Sequence, residues 1–395
     1  MKTINSSLLP ALLLLAIGCT ESAPPPAYSV TAIGSPTENS ATSPRLAGSS
    51  DGRLLLSWLE PDEDDVALRY SRYDAGGWTK PADVARSSDM FVNWADLPSV
   101  VPLGGDRLAA HWLVMTGAHA HAYDIAFTES TDNGETWSGV ISPHNDGTDT
   151  EHGFVSIFPS DGGTGLIWLD GRKMVNEVTD DPVASGMTLR SNSDLIDELV
   201  CDCCQTDVAI ASSGPIAVYR DRSVDEIRDI YVTRQIDGRW QPGSAVANDG
   251  WEIWGCPVNG PSIAADEHRV AVAWFTAADE PLVNVAVSTD SGVSFAAPIE
   301  IVRSETLGRA GVAWLDNGDV AVSWLQSDDP ASSAIKVRRV FANGSLGPVR
   351  LVANTASGLS VPQMQRHGDE LVFAWTEVRD DGARVTSARV NVAAL

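Results

Sequence analysis

The sequence predicts an all-β chain, a β-propeller of seven four-stranded blades, and three observations carry that expectation. A short apolar strand ending in an aromatic residue recurs seven times, at Trp58, Trp112, Trp168, Tyr219, Trp274, Trp324 and Trp375. Successive aromatics lie 54, 56, 51, 55, 50 and 51 residues apart, and every interval repeats the same order of elements. The 395 residues are 43% apolar with 33 Gly and 22 Pro, enough to fill a large core while turning often. A four-stranded sheet cannot cover both of its faces alone, and stacking such units around an axis solves that problem.

Residues 1–18 read as a secretory signal peptide, because Lys2 precedes the apolar run 8–17, which is too short to span a bilayer. Its end, Leu15-Ala16-Ile17-Gly18-Cys19, resembles the bacterial lipobox, so Cys19 is the expected lipidation site and 19–27 a tether. The protein is therefore expected to be exported to the bacterial cell envelope and held to the membrane by lipid, facing either the periplasm or the cell surface. Removing Lys2 takes the net charge from −26 to −27, and an excess of 53 acids over 27 bases excludes nucleic acid as a partner.

Residues 28–395 form one predicted domain. Each unit opens with a strand, often after Pro (Pro98, Pro261, Pro362), turns at Gly or Asp, runs through the aromatic strand and adds two alternating strands. The last unit stops at Leu395 after three strands. Its fourth is available at the other terminus, where 28–33 can pair with 384–392 and close the ring.

Two segments, Ser130-Thr131-Asp132-Asn133-Gly134-Glu135-Thr136-Trp137 and Ser288-Thr289-Asp290-Ser291-Gly292-Val293-Ser294-Phe295, resemble the Asp box of sialidase-like propellers. Degenerate versions stand at 74–78 and 237–240. The resemblance implies fold and not activity, since these boxes are structural hairpins. Enzymes of that family commonly have six blades, so six is the alternative count.

With strands a to d running outward from the axis, the b–c loops and the connections between blades share one rim, and the Asp boxes lie on the other. The unusual residues all fall on the first rim, over blades 2 to 5. They are His119, His121 and His152; Asp170, Arg172 and Lys173; Cys201, Cys203 and Cys204; Arg220, Asp221, Arg222, Glu226 and Arg228; and Trp251, Trp254 and Cys256. Gathered at the mouth of a rigid scaffold they suit a ligand site, and the alternative is a set of loops that cap the channel.

Once Cys19 is lipidated, four cysteines remain in an oxidising compartment. Two disulfides are one reading, for example Cys201–Cys204 with Cys203–Cys256 among three pairings. A soft-metal site is another, in which Cys201, Cys203, Cys204 and Cys256 join His119, His121 and His152 to hold copper or zinc. Free redox thiols are the third. The Arg220–Arg228 stretch reads either as a salt-bridge lattice or as a carboxylate clamp.

Exo-sialidases bind their acidic sugar with three arginines and use an Asp as acid/base and a Tyr paired with Glu as nucleophile. By that resemblance Arg45 sits where the first arginine would fall, with Arg172, Arg220 and Arg309 to complete the triad and Asp221 and Glu226 as candidate carboxylates. Trp94, Trp251 and Trp254 are available to stack on a sugar. No nucleophile elbow, phosphate loop or H-E-x-x-H motif is present. Three functions stand: a rim that binds a small ligand or soft metal through Arg172, Arg220, Arg222, Arg228, Trp251 and Trp254 or the thiols and imidazoles; a sialidase-type glycoside hydrolase; and a protein-interaction platform.

Overall fold

The computed structural model describes residues 26–395 apart from 38, 118, 120, 161–162, 176–180, 193, 330–331, 356–359 and 381. The expected signal segment, Cys19 and most of the expected tether lie outside the described residues. Seven antiparallel sheets follow one another along the chain. Their aromatic strands, second from the axis in each blade, are Leu54–Asp62, Arg107–Met115, Gly163–Asp170, Gly214–Arg220, Arg269–Thr276, Val320–Asp329 and Glu370–Arg379. The inner strands neighbour one another in chain order, and that of blade 7, Gln363–His367, lies against that of blade 1, Thr42–Gly48. The ring is closed with seven blades.

Val30–Ile33 supplies the outer strand of blade 7 by pairing with Gly382–Asn391, Val30 opposite Val390 and Ile33 opposite Ser387. Blade 2 departs from the four-strand pattern. It has three strands, and its outer edge is a single bridge between Phe127 and Ile141. The chain after Trp137 carries Gly139, Pro143 and Gly147, which do not sustain a ladder, and it delivers His144 and Asp146 to the b–c rim instead.

The core is a ring of blade-to-blade contacts rather than one central mass. Leu55, Tyr70, Val100 and Trp112 join blades 1 and 2, while Ala271, Val285, Val322 and Trp324 join blades 5 and 6. Leu46, Trp58, Val372 and Ala374 seal blade 7 to blade 1. All seven recurring aromatics are buried. In four of them the indole N–H donates to a polar side chain two residues on: Trp58 to Glu60 at 3.0 Å, Trp168 to Asp170 at 2.9 Å, Trp324 to Gln326 at 2.8 Å and Trp375 to Glu377 at 3.0 Å. The spacing is dictated by the strand, which returns residue i+2 to the same face and so places an acceptor beside each buried donor.

Candidate functional site

On the b–c rim a cavity of about 510 Å³ opens between the loops of blades 2 to 5. Phe91 and Trp94, from the connection entering blade 2, form one wall, and Tyr123, Glu151 and Phe154 form the floor. Asp202, Cys203 and Cys256 close the far side. Tyr123 opens the third strand of blade 2, so its ring is buried while its hydroxyl reaches the cavity base. That hydroxyl donates to Glu151 Oε1 at 2.6 Å and approaches Asp96 Oδ2 at 3.4 Å. Burial pushes the Glu151 carboxyl up, and burial with the neighbouring Asp96 and Glu151 charges pushes the Tyr123 phenol far above its ordinary value. His121 Nδ1 lies 3.3 Å from Glu151 Oε2 at the exposed lip.

Beneath them Asp96 accepts the amide of Phe154 at 2.8 Å. Phe154 has φ +54°, left-handed backbone that a β-strand residue rarely adopts, and the buried carboxyl secures the bulge that turns its ring into the cavity. Gly153 precedes it because a Cβ there would strike Asp96. Burial raises the Asp96 carboxyl to about 8.

The sulfurs and charges of blade 4 stand beside this floor. Cys203 and Cys256 form a disulfide with Cα atoms 6.1 Å apart, while Cys201 and Cys204 are buried thiols with sulfurs 2.7 Å apart. Arg222 is a strut, donating to Glu226 at 2.6 Å and to Asp202 at 3.2 Å. Arg228 donates to Glu226 at 2.8 Å and to Cys201 Sγ at 3.6 Å. Burial would raise Glu226, but these two guanidinium groups outweigh it and lower the carboxyl. Asp221 is pushed up to about 7 by burial and by Asp197.

Other residues expected at the rim do not line this cavity. The Arg220 guanidinium is buried and donates to three backbone carbonyls, Asn259 at 3.0 Å, Arg228 at 2.6 Å and Phe275 at 2.6 Å, so it braces blades 4 and 5 and offers no carboxylate clamp. Arg172 holds Asp170 with two bonds, at 2.6 and 2.7 Å. Lys173 donates to the Val183 carbonyl at 3.1 Å. Arg45 and Arg309 face the axial channel, Arg45 at 3.9 Å from Asp207, and Arg309, lowered to about 10 by burial, lies over Trp94 at 5.1 Å. Trp251 is buried under Arg220, and Trp254 is an exposed loop residue bonded to Glu252.

His119 and His152 do not join the sulfurs, while His121 lines the cavity with Cys203 and Cys256 but is partnered by Glu151. His119 is exposed in its loop, and His152 is fully buried in a separate cluster. There His152 stacks on His144 at 3.8 Å, with Asp124, Asp146 and Asp170 around the pair. Among the described residues, the groups with metal-ligand spacing are Cys201-Cys203-Cys204, Asp124-His144-His152 and Asp146-His152-Asp170, none mixing sulfur with imidazole. Sequence reading missed Asp96, Tyr123, Glu151 and His144. Their only trace was position, since Tyr123 and Glu151 sit at strand ends that the repeat assigns to the same rim.

No protein-family model and no curated protein matches the sequence. Solved structures do. A protein of unknown function from Dyadobacter fermentans DSM 18053 aligns over 93% of this chain and 98% of its own, with TM-score 0.51 and 13% identity. An ulvan lyase of polysaccharide lyase family 25 aligns over 90% and 95%, with TM-score 0.54 and 10% identity. A variant of the NanB sialidase from Streptococcus pneumoniae aligns over 95% and 72%, with TM-score 0.49 and 11% identity. The chain is a seven-bladed β-propeller. At such identities the likeness is one of fold, and the chemistry of this propeller has to be read from its own rim.

Proposed function

We propose that this propeller works outside the cytoplasm, tethered through lipid on Cys19, and that its rim cavity binds a small neutral saccharide. The observation that carries the reading is the cavity's lining: Phe91, Trp94, Tyr123 and Phe154 with Glu151 and Asp202, and neither Arg nor Lys. Aromatic faces stack on the apolar faces of sugar rings, carboxylates accept hydroxyl protons, and the arginine beside these acids, Arg222, is already held by Asp202 and Glu226, so none that lines the cavity is free for an anionic sugar. Copper or zinc at the sulfur group and a protein partner on the rim are the competing occupants.

A second reading, glycoside hydrolysis, is favoured by the 2.6 Å bond between Tyr123 and Glu151. A phenol hydrogen-bonded to a buried carboxylate can lose its proton as it attacks an anomeric carbon. In this reading the substrate is again neutral, because Arg220 and Arg172 are spent on carbonyls and on Asp170.

Titration of neutral and acidic oligosaccharides, followed by tryptophan fluorescence, tests the binding. Saturable quenching by a neutral saccharide is expected, with affinity reduced about tenfold in Trp94→Ala. A protein that binds only acidic sugars, or whose response survives Trp94→Ala unchanged, would remove the proposal. Turnover of aryl glycosides that disappears in Tyr123→Phe while binding persists would establish hydrolysis. Metal analysis of the same preparation decides the copper or zinc alternative.

A further inference from the structure

The four cysteines beyond Cys19 form a line of sulfurs running from the surface inward. Cys256 is exposed and bonded to Cys203. Cys201 Sγ lies 4.0 Å from Cys203 Sγ, and Cys204 Sγ lies 2.7 Å from Cys201 Sγ. Cys201 and Cys204 are both buried thiols. A thiolate behind a disulfide is the arrangement that exchanges, and here the protein supplies the charge that favours one. Arg228, anchored by Glu226 at 2.8 Å, donates to Cys201 Sγ at 3.6 Å. Burial opposes ionisation of Cys201, but the hydrogen bond from Cys204 and the nearby Arg220 and Arg228 outweigh it and bring the thiol down to about 7. Burial holds Cys204 well above the ordinary thiol range, so the pair keeps one proton.

We infer that these sulfurs form a thiol–disulfide exchange relay, in which Cys201 passes the disulfide between the exposed Cys203–Cys256 pair and the buried Cys201–Cys204 pair, and a small-molecule disulfide reacts at Cys256. The Cys201 thiolate attacks Cys203 Sγ, the Cys203–Cys256 bond breaks, and its electron pair leaves on Cys256, which takes a proton from solvent. Cys204 then gives up its proton and attacks Cys201 Sγ, breaking the Cys201–Cys203 bond and releasing Cys203 as a thiolate. One disulfide is lost and one is made, with no net oxidation. Reoxidation at the surface consumes the external disulfide: Cys256 attacks it and expels one thiol, then Cys203 attacks the mixed disulfide and expels the second. The external molecule gains two electrons, and the protein holds two disulfides. Cys203 and Cys256 line the rim cavity, which is of small-molecule size, so the reacting bond is open to such a partner. The relay does not depend on the cavity binding a saccharide.

The purified exported chain, poised with glutathione buffers to hold one disulfide, is trapped by alkylation and its pairs are mapped by peptide mass spectrometry. The disulfide is expected to divide between Cys203–Cys256 and Cys201–Cys204. Cys204→Ser should stop at Cys201–Cys203 and open Cys256 to alkylation, whereas Cys201→Ser should keep Cys203–Cys256 and leave Cys256 unlabelled. A native chain whose disulfide stays at Cys203–Cys256 at every pH, or whose two pairs both resist every glutathione ratio, would overturn the relay. Both of those outcomes are read on the native chain, so a variant that fails to fold does not decide the matter.

Discussion

Asp96 ties the cavity to the fold through one buried carboxyl. It accepts the Phe154 amide and lies under the Tyr123 hydroxyl, and burial raises it to about 8 where an unfolded chain titrates near about 3.9. The folded state therefore holds this proton while the unfolded state has lost it. Its contribution is present in full below about pH 4 and is lost as pH rises towards about 8. Asp96→Asn keeps the acceptor for Phe154, supplies a donor to Tyr123 and cannot ionise. Urea midpoints at pH 5, 7 and 9 should show the variant gaining on the native chain with each step; parallel profiles would mean that Asp96 is already charged. Arg220 teaches the complementary point about reading side chains. Its sequence neighbours, Asp221 and Arg222, suggest a clamp, but two of the three carbonyls it serves belong to Asn259 and Phe275, far along the chain. Nothing local in Tyr219-Arg220-Asp221-Arg222 encodes those partners.

Among the elements, the two Asp boxes are near copies in space. Ser130 and Ser288 donate to Asp132 and Asp290 at 2.8 and 2.7 Å, and the Asp carboxylates accept the Thr136 and Ser294 amides at 2.9 Å in both. Asn133-Gly134 and Ser291-Gly292 take the same pair of left-handed conformations. The side chains of these short segments bond to their own backbone, so the motif is legible without tertiary information. A further constraint is visible only in the structure, because a Cβ on Gly134 would meet the Tyr70 hydroxyl of blade 1. Gly134→Ala should consequently lower Tm more than Asp132→Ala, which breaks the turn's own bonds but disturbs no neighbouring blade. Differential scanning calorimetry of the two variants checks the order, and equal losses would show that the blade contact carries no weight. The outer strand of blade 2 illustrates the opposite case: the period calls for a strand, but Pro143 and the glycines around it divert the chain to the rim.

Across the whole molecule, the ring is sealed by a strand from the other end of the chain. Val30–Ile33 pairs with Gly382–Asn391, Ser35 donates to the Val385 carbonyl at 2.9 Å and the Ala41 amide to the Ala383 carbonyl at 2.9 Å. Cutting the chain after residue 34 should lower Tm and promote concentration-dependent association, because Gly382–Asn391 becomes an open sheet edge. Size-exclusion chromatography across concentrations reads this directly, and a truncated chain that stays monomeric with unchanged Tm would show that blade 7 closes without its fourth strand. The period of the buried aromatics, the two hairpin boxes and the incomplete last unit were enough to specify a seven-bladed ring closed by its N-terminal strand. Each is a local or periodic signal, written wherever a sheet must alternate buried and exposed residues. The rim was legible only as a neighbourhood. Which of its groups converge, the phenol with Glu151, the sulfurs with Arg228, the imidazoles with three aspartates, was decided by tertiary packing, because those contacts join loops of different blades whose lengths and directions obey no repeat.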